Sequence, residues 1–118
     1  MKPRMQRVRD FYGAVDSGDA KAAVSLFHGN ITYKRGSRSF RSLNEVRKFY
    51  ETGRSATISS GTHSIIETYE HGDTITIVGS FNGRYADGTE GVVKFVDEFT
   101  FDGELVTRRV TTFPGREI

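Results

Sequence analysis

Val93, Phe95, Asp97, Phe99 and Phe101 alternate with Lys94, Val96, Glu98 and Thr100. A strand through this segment therefore threads one carboxylate into a row of apolar side chains. An ionised Asp on a buried face is costly unless paired, and otherwise tends to stay protonated. Two chemistries follow. One is a structural ion pair at a sheet edge or subunit interface. The other is a polar anchor in an apolar pocket, donating a proton or hydrogen bond to a ligand or orienting an arginine that does so. The next segment supplies the arginine. A two-residue loop Asp102-Gly103 sets Asp97 opposite Arg108; a three-residue loop from Asp102 to Glu104 sets it opposite Arg109, with Thr111 and Phe113 on the same side.

His63 follows Ser59-Ser60-Gly61-Thr62 at the start of a strand, where it can serve a pocket mouth as acid or base or simply satisfy an exposed strand end. Tyr33 is the candidate pocket phenol, or a core tyrosine with a wet tip. Arg35, Arg38 and Arg41 form the densest basic group, able to draw a carboxylate or phosphate to a pocket rim or to stand as solvated surface; Arg54 can join them. Asp97, Tyr33 and His63 are thus the catalytic candidates. Arg35 and Arg109 are the electrostatic stabilisers, and Phe11, Phe81, Phe95, Phe99, Thr111 and Phe113 the ligand-facing set.

Other chemistries lack support. The three histidines are scattered, with no His-x-x-x-His or carboxylate cluster, so no metal site is expected. There is no Gly-x-Ser-x-Gly elbow, no phosphate loop and no cysteine, so neither a nucleotide nor another cofactor is expected.

The positioning elements read clearly. Met5, Val8, Phe11, Tyr12 and Val15 fall at three- and four-residue steps between Pro3 and Asp16, an amphipathic helix stopped at Gly18. Asp19 caps a second short helix bearing Ala20, Ala23, Val24 and Phe27, ending in the break His28-Gly29-Asn30. Ile31 to Lys34 and Phe40 are short strand pieces, and Ser42-Leu43-Asn44-Glu45 is a capping box opening a third helix to about Thr52. Beyond residue 55, four β-branched segments separated by glycine turns predict an antiparallel meander: Thr62 to Glu70, Asp73 to Tyr85, Glu90 to Phe101 and Glu104 to Phe113. Helices first and a curling sheet after make an α+β domain.

The chain of 118 residues is short for two domains, and its 36% hydrophobic content includes nine Phe and five Tyr, so a core must be built from rings. Residues 1 to 54 carry a formal charge of +7 and residues 55 to 118 one of −5. The basic half spreads its arginines without interleaved aromatics, which disfavours nucleic acid and leaves a small anionic or polar-tipped ligand. No apolar run is long enough for a membrane span, and a cytoplasmic protein is expected.

The segments Phe11 to Asp19, Leu26-Phe27, Ser42 to Tyr50 and Phe95-Val96-Asp97-Glu98-Phe99-Thr100-Phe101-Asp102-Gly103 resemble the NTF2-like superfamily, most closely its SnoaL-like and ketosteroid isomerase-like branch. The resemblance implies a cone-shaped, cystatin-like fold, with three N-terminal helices packed in a strongly curved antiparallel sheet around a pocket at the wide end. It also implies a homodimer through the outer sheet face. Asp97 matches the oxyanion-hole acid of the isomerase-like enzymes, a carboxyl kept neutral by apolar surroundings. Their helix-1 tyrosine falls on Phe11, so Tyr12 is expected to point elsewhere. Their catalytic base falls on Arg35, which cannot accept a proton. In the epoxide hydrolase branch, Tyr33 matches the strand tyrosine, but Arg35 and Thr111 replace the neighbouring Asn and the last-strand Asp. The implied function is an acid–base, isomerase- or cyclase-like pocket protein, or a non-catalytic binding module of the same fold.

Overall fold

The computed structural model describes residues 2–115. Helix α1 (Arg4–Asp16) starts after Pro3, and Val8, Phe11, Tyr12 and Val15 bury the face that their spacing marks out. Helix α2 (Ala20–Val24) follows, with the Asp19 carboxylate accepting from the Ala22 N–H at 3.0 Å. This helix is shorter than expected: Phe27 opens strand β1 (Phe27–Arg35), pairing with Val106, and His28-Gly29-Asn30 falls inside that strand where its ladder with the last strand is interrupted, between Phe27 and Thr32. A tertiary ladder with the last strand overrides the local helix signal there.

After β2 (Arg38–Arg41), helix α3 (Ser42–Lys48) passes into a π-type turn at Phe49–Gly53 and a 3₁₀ turn at Arg54–Ala56. Ser42, at a φ of +73°, carries the cap, its Oγ accepting a long 3.4 Å bond from the Glu45 N–H. The meander comprises β3 (Ile58–His71), β4 (Thr74–Tyr85), β5 (Glu90–Asp102) and β6 (Leu105–Thr112).

Six strands form one open sheet in the order β2-β1-β6-β5-β4-β3. It is antiparallel except where β1 runs parallel to β6, the long return connection permitting that pairing. Helix α1 touches both flanks of the sheet: Phe11 packs on Phe27 of β1 and Phe99 of β5, while Tyr12 stacks on His63 of edge strand β3. One helix reaches strands that far apart only because the sheet curves around it, and register shifts in β3 and β6 supply bends.

The β5–β6 register differs from both alternatives read from the sequence. Asp102 pairs with Leu105, and a bulge beyond Phe101 shifts the ladder so that Asp97 lies opposite Thr111 and Phe99 opposite Arg109. Asp97 and Arg109 are therefore diagonal neighbours on the concave face, and Arg108 is exposed.

Candidate functional site

Asp97 is 1% exposed, and its two oxygens accept four bonds. Arg109 donates through Nε to Oδ1 at 2.9 Å and through Nη2 to Oδ2 at 2.6 Å. The Tyr12 hydroxyl donates to Oδ2 at 2.6 Å and the Thr111 hydroxyl to Oδ1 at 2.6 Å. Because Thr111 spends its proton on Asp97, Tyr33 must donate to Thr111 across their 3.0 Å contact, and Tyr33 in turn accepts from Arg35 Nη1 at 3.1 Å. Arg109 Nη1 donates to the Tyr50 hydroxyl at 2.5 Å. Phe11, Tyr33 and Phe99 box the Arg109 guanidinium, with its central carbon 4.7, 4.4 and 5.0 Å from their ring centres.

This geometry corrects two expectations. Burial alone pushes the Asp97 carboxyl up, but Arg109 beside it and the Arg109, Thr111 and Tyr12 donors outweigh burial and hold it below its ordinary range. All four acceptor positions are engaged, so Asp97 has no proton to give and no room for a ligand; it is an orienting anion, not a neutral acid. Tyr12 points inward to Asp97 rather than elsewhere, because it shares the buried face of α1 with Val8 and Val15. Burial, then Asp97, push its phenol well above the ordinary value, so it stays protonated.

The remaining candidates divide. Thr111, Tyr33, Arg35 and Arg109 join the Asp97 network, and Phe11, Phe95 and Phe99 pack around it. Arg35 is 5% exposed, stacked over Phe49 and Phe113 at 4.9 and 5.3 Å. Its companions in the basic group, Arg38 and Arg41, are exposed, and Arg38 lies over the same Phe49 ring at 5.2 Å.

His63 stands apart from this network but touches it. Its ring stacks on Tyr12 at 5.0 Å and contacts Phe81 and Phe95 at 4.8 and 5.6 Å. Asp16, the last residue of α1, grips it twice: Oδ2 accepts from the His63 backbone N–H at 2.8 Å, and Oδ1 accepts from ring Nδ1 at 2.5 Å. The proton assigned to Nδ1 by that contact leaves Nε2 as the basic nitrogen. Burial pulls the imidazole below its ordinary value against the opposing pull of Asp16, so the neutral form prevails at neutral pH.

Asp16 also lines a cleft of about 320 Å³ between the α1–α2 junction, the π turn and the start of β3, whose wall includes Tyr50, Arg54, Ile58 and Gly61. Asp16, Tyr12 and Tyr50 are not among the candidates that the sequence offers, and Arg54 enters there only as a possible member of the basic group of Arg35, Arg38 and Arg41. The signal for the first two was present: Tyr12 and Asp16 are four residues apart on one helix, hence on one face. Nothing in the sequence brings Arg54 to them.

The SnoaL-like domain family matches residues 8–109 of the chain. No curated protein matches it in sequence. Among solved structures, an NTF2-like protein from Burkholderia pseudomallei K96243 is similar at 19% identity, covering 96% of this chain and 92% of its own, with a TM-score of 0.86. A protein of ketosteroid isomerase-like fold from Catenulispora acidiphila, in complex with trimethylamine, is 19% identical over 90% and 83% of the two chains, TM-score 0.81. TerC, co-crystallised with polyporic acid, is 16% identical over 95% and 92%, TM-score 0.84.

Proposed function

The chain belongs to the SnoaL-like domain family, and from that premise we propose that it is a small-molecule pocket protein performing isomerase- or cyclase-like acid–base chemistry, with His63 as the base. The carrying observation is the Asp16–His63 pair, of which Asp16 lines the cleft. His63 Nε2 takes a proton from a carbon or hydroxyl acid of the ligand, and Asp16, fixed on Nδ1–H, stabilises the imidazolium that forms. Tyr12, Phe81 and Phe95 hold the ring, and the Asp97–Arg109 pair holds Tyr12, so these act as positioning residues. The trimethylamine and polyporic acid complexes of two structural neighbours fit a fold that receives small molecules.

The test is deuterium incorporation into a panel of enolisable cyclic ketones, followed by NMR. Exchange should slow by about 10²- to 10⁴-fold in His63→Gln. Exchange at the wild-type rate in that variant removes His63 as base. A non-catalytic binding role for the same cleft is favoured by one observation, the saturation of Asp97; ligand binding without exchange in either protein would select it.

We place the protein in the cytoplasm as a homodimer joined through the convex sheet face. Val78, Val96 and Val110 are half-buried on that face, and Tyr69 there is 55% exposed. No helix among the described residues is long and apolar enough to cross a membrane. Sedimentation showing only monomer at micromolar concentration would remove the dimer.

A further inference from the structure

Among the described residues, Arg109 is a buried cation with a carboxylate partner, whereas Arg35 and the partly buried Arg54 have none within ion-pair distance. Arg109 has Asp97, and exposed Arg4, Arg47 and Arg84 have Asp73, Glu51 and Glu90 within ion-pair distance. Arg54 has no carboxylate within that distance among the described residues. Its Nη2 is buried without an acceptor, and its guanidinium lies over the Phe81 ring at 5.1 Å. Burial lowers its affinity for its proton, as expected of a cation without a counter-charge. The charged groups near it are Arg35 and Asp16, which leaves a local excess of one positive charge beside the internally balanced Asp97–Arg109 pair.

A second unspent donor stands in the same cleft wall. The Tyr50 hydroxyl accepts from Arg109 Nη1, so its own proton is directed away from Arg109, and burial keeps the phenol protonated. Tyr50 and Arg54 lie four residues apart across the π turn, and both line the 320 Å³ cleft with Asp16.

We propose that this cleft receives a ligand bearing one planar oxyanion, a carboxylate or an enolate, bound by the Arg54 guanidinium and the Tyr50 hydroxyl. The proposal rests on reading the cleft as the ligand site and specifies its charge class. Both Arg54 and His63 contact Phe81, so an oxyanion at Arg54 lies on the same ring as the base that would generate or face it. A carboxylate arrives charged; an enolate forms as His63 removes the proton, and the same donors stabilise it.

The experiment compares benzoate with benzamide, and 4-nitrophenolate with nitrobenzene, by calorimetry on the full chain. The anion of at least one pair should bind about tenfold or more tightly than its neutral partner, as a charge-assisted contact implies. That preference should vanish in Arg54→Met, shrink in Tyr50→Phe and persist in His63→Gln. A benzoate preference alone identifies a carboxylate ligand, and a nitrophenolate preference alone an enolate-type one. Equal binding of charged and neutral probes, or a preference surviving in Arg54→Met, overturns the proposal. Thermal melting guards the variant: Arg54→Met, relieved of an uncompensated cation, should melt at or above the wild-type temperature, and a large fall would show a structural counter-charge and overturn it equally. Absence of an anion preference in the wild-type protein, with its deuterium exchange intact, would sink the charge class and spare His63. Loss of exchange in His63→Gln with the preference intact supports both readings, whereas exchange that survives in His63→Gln removes the base and leaves the anion site.

Discussion

Replacing Asp97 by Asn tests whether one carboxylate organises the interior. The side chain now accepts four bonds at 2.6 to 2.9 Å, two of them from Arg109. Asn retains one acceptor oxygen and turns an NH₂ toward groups that are themselves donors. It also strands Arg109, 3% exposed, without a counter-charge. Breaking a buried pair from one side costs about 3–5 kcal/mol. For a chain of this size each kcal/mol moves the melting temperature by roughly 3–6 °C, so a fall of roughly 9–30 °C is expected in circular dichroism melts at pH 7. The pH profile adds an independent reading. Asp97 titrates below its unfolded value, so its stabilising contribution is complete above that value and is lost as pH falls through the folded one. Wild type should therefore lose stability toward acid more steeply than Asp97→Asn. The double variant Asp97→Leu/Arg109→Met, which removes both charges, should be less destabilised than the two single changes combined. A fall of less than about 3 °C in Asp97→Asn, together with an unchanged acid slope, would refute the account of Asp97 as the hub.

Three further outcomes follow from the same contacts. Tyr12→Phe removes one donor to the buried carboxylate and should cost about 1.5–3 kcal/mol in urea unfolding. His63 should titrate below the ordinary histidine value by NMR, and Asp16→Asn should depress it further, since Asp16 supplies the opposing upward pull; fold stability should fall as the pH drops below the unfolded histidine value. Gly61→Ala would bring a Cβ within 2.1 Å of Phe81 and 2.9 Å of the Asn82 carbonyl, so a loss of about 1–3 kcal/mol is expected, partly relieved by adding Phe81→Leu.

The helices and the meander were legible because their periods are local properties of the chain. Val8, Phe11, Tyr12 and Val15 mark a helix face, and the alternation around Asp97 marks a concave strand face. The sequence leaves Arg108 and Arg109 open as the partner of Asp97, and the diagonal relation with Arg109 depends on a bulge between Thr100 and Phe101 that no residue type announces. Phe27 could be read as helix because pairing with Val106, 79 positions away, is invisible to a local window. The donors on Asp97 decide its protonation, and they come from two separate elements, Tyr12 of α1 and Thr111 and Arg109 of β6. Arg54 was legible only as a charge. That its Nη2 is buried without an acceptor among the described residues is a property of the assembled wall.

The Gly61–Gly83 pair of β3 and β4 has the Phe81 ring lying where both would carry a Cβ. Gly61 borders the inner cleft, and the same pair borders a depression of about 460 Å³ lined also by Ser60, Asn82, Arg84 and Glu90. The Phe81 ring thus covers bare backbone where the strands border both hollows. The same ring carries the Arg54 guanidinium at 5.1 Å and meets the His63 ring at 4.8 Å. A change at Phe81 that reshapes this wall therefore also moves the proposed anion donor and the proposed base, so ligand size and ligand charge are coupled through one ring.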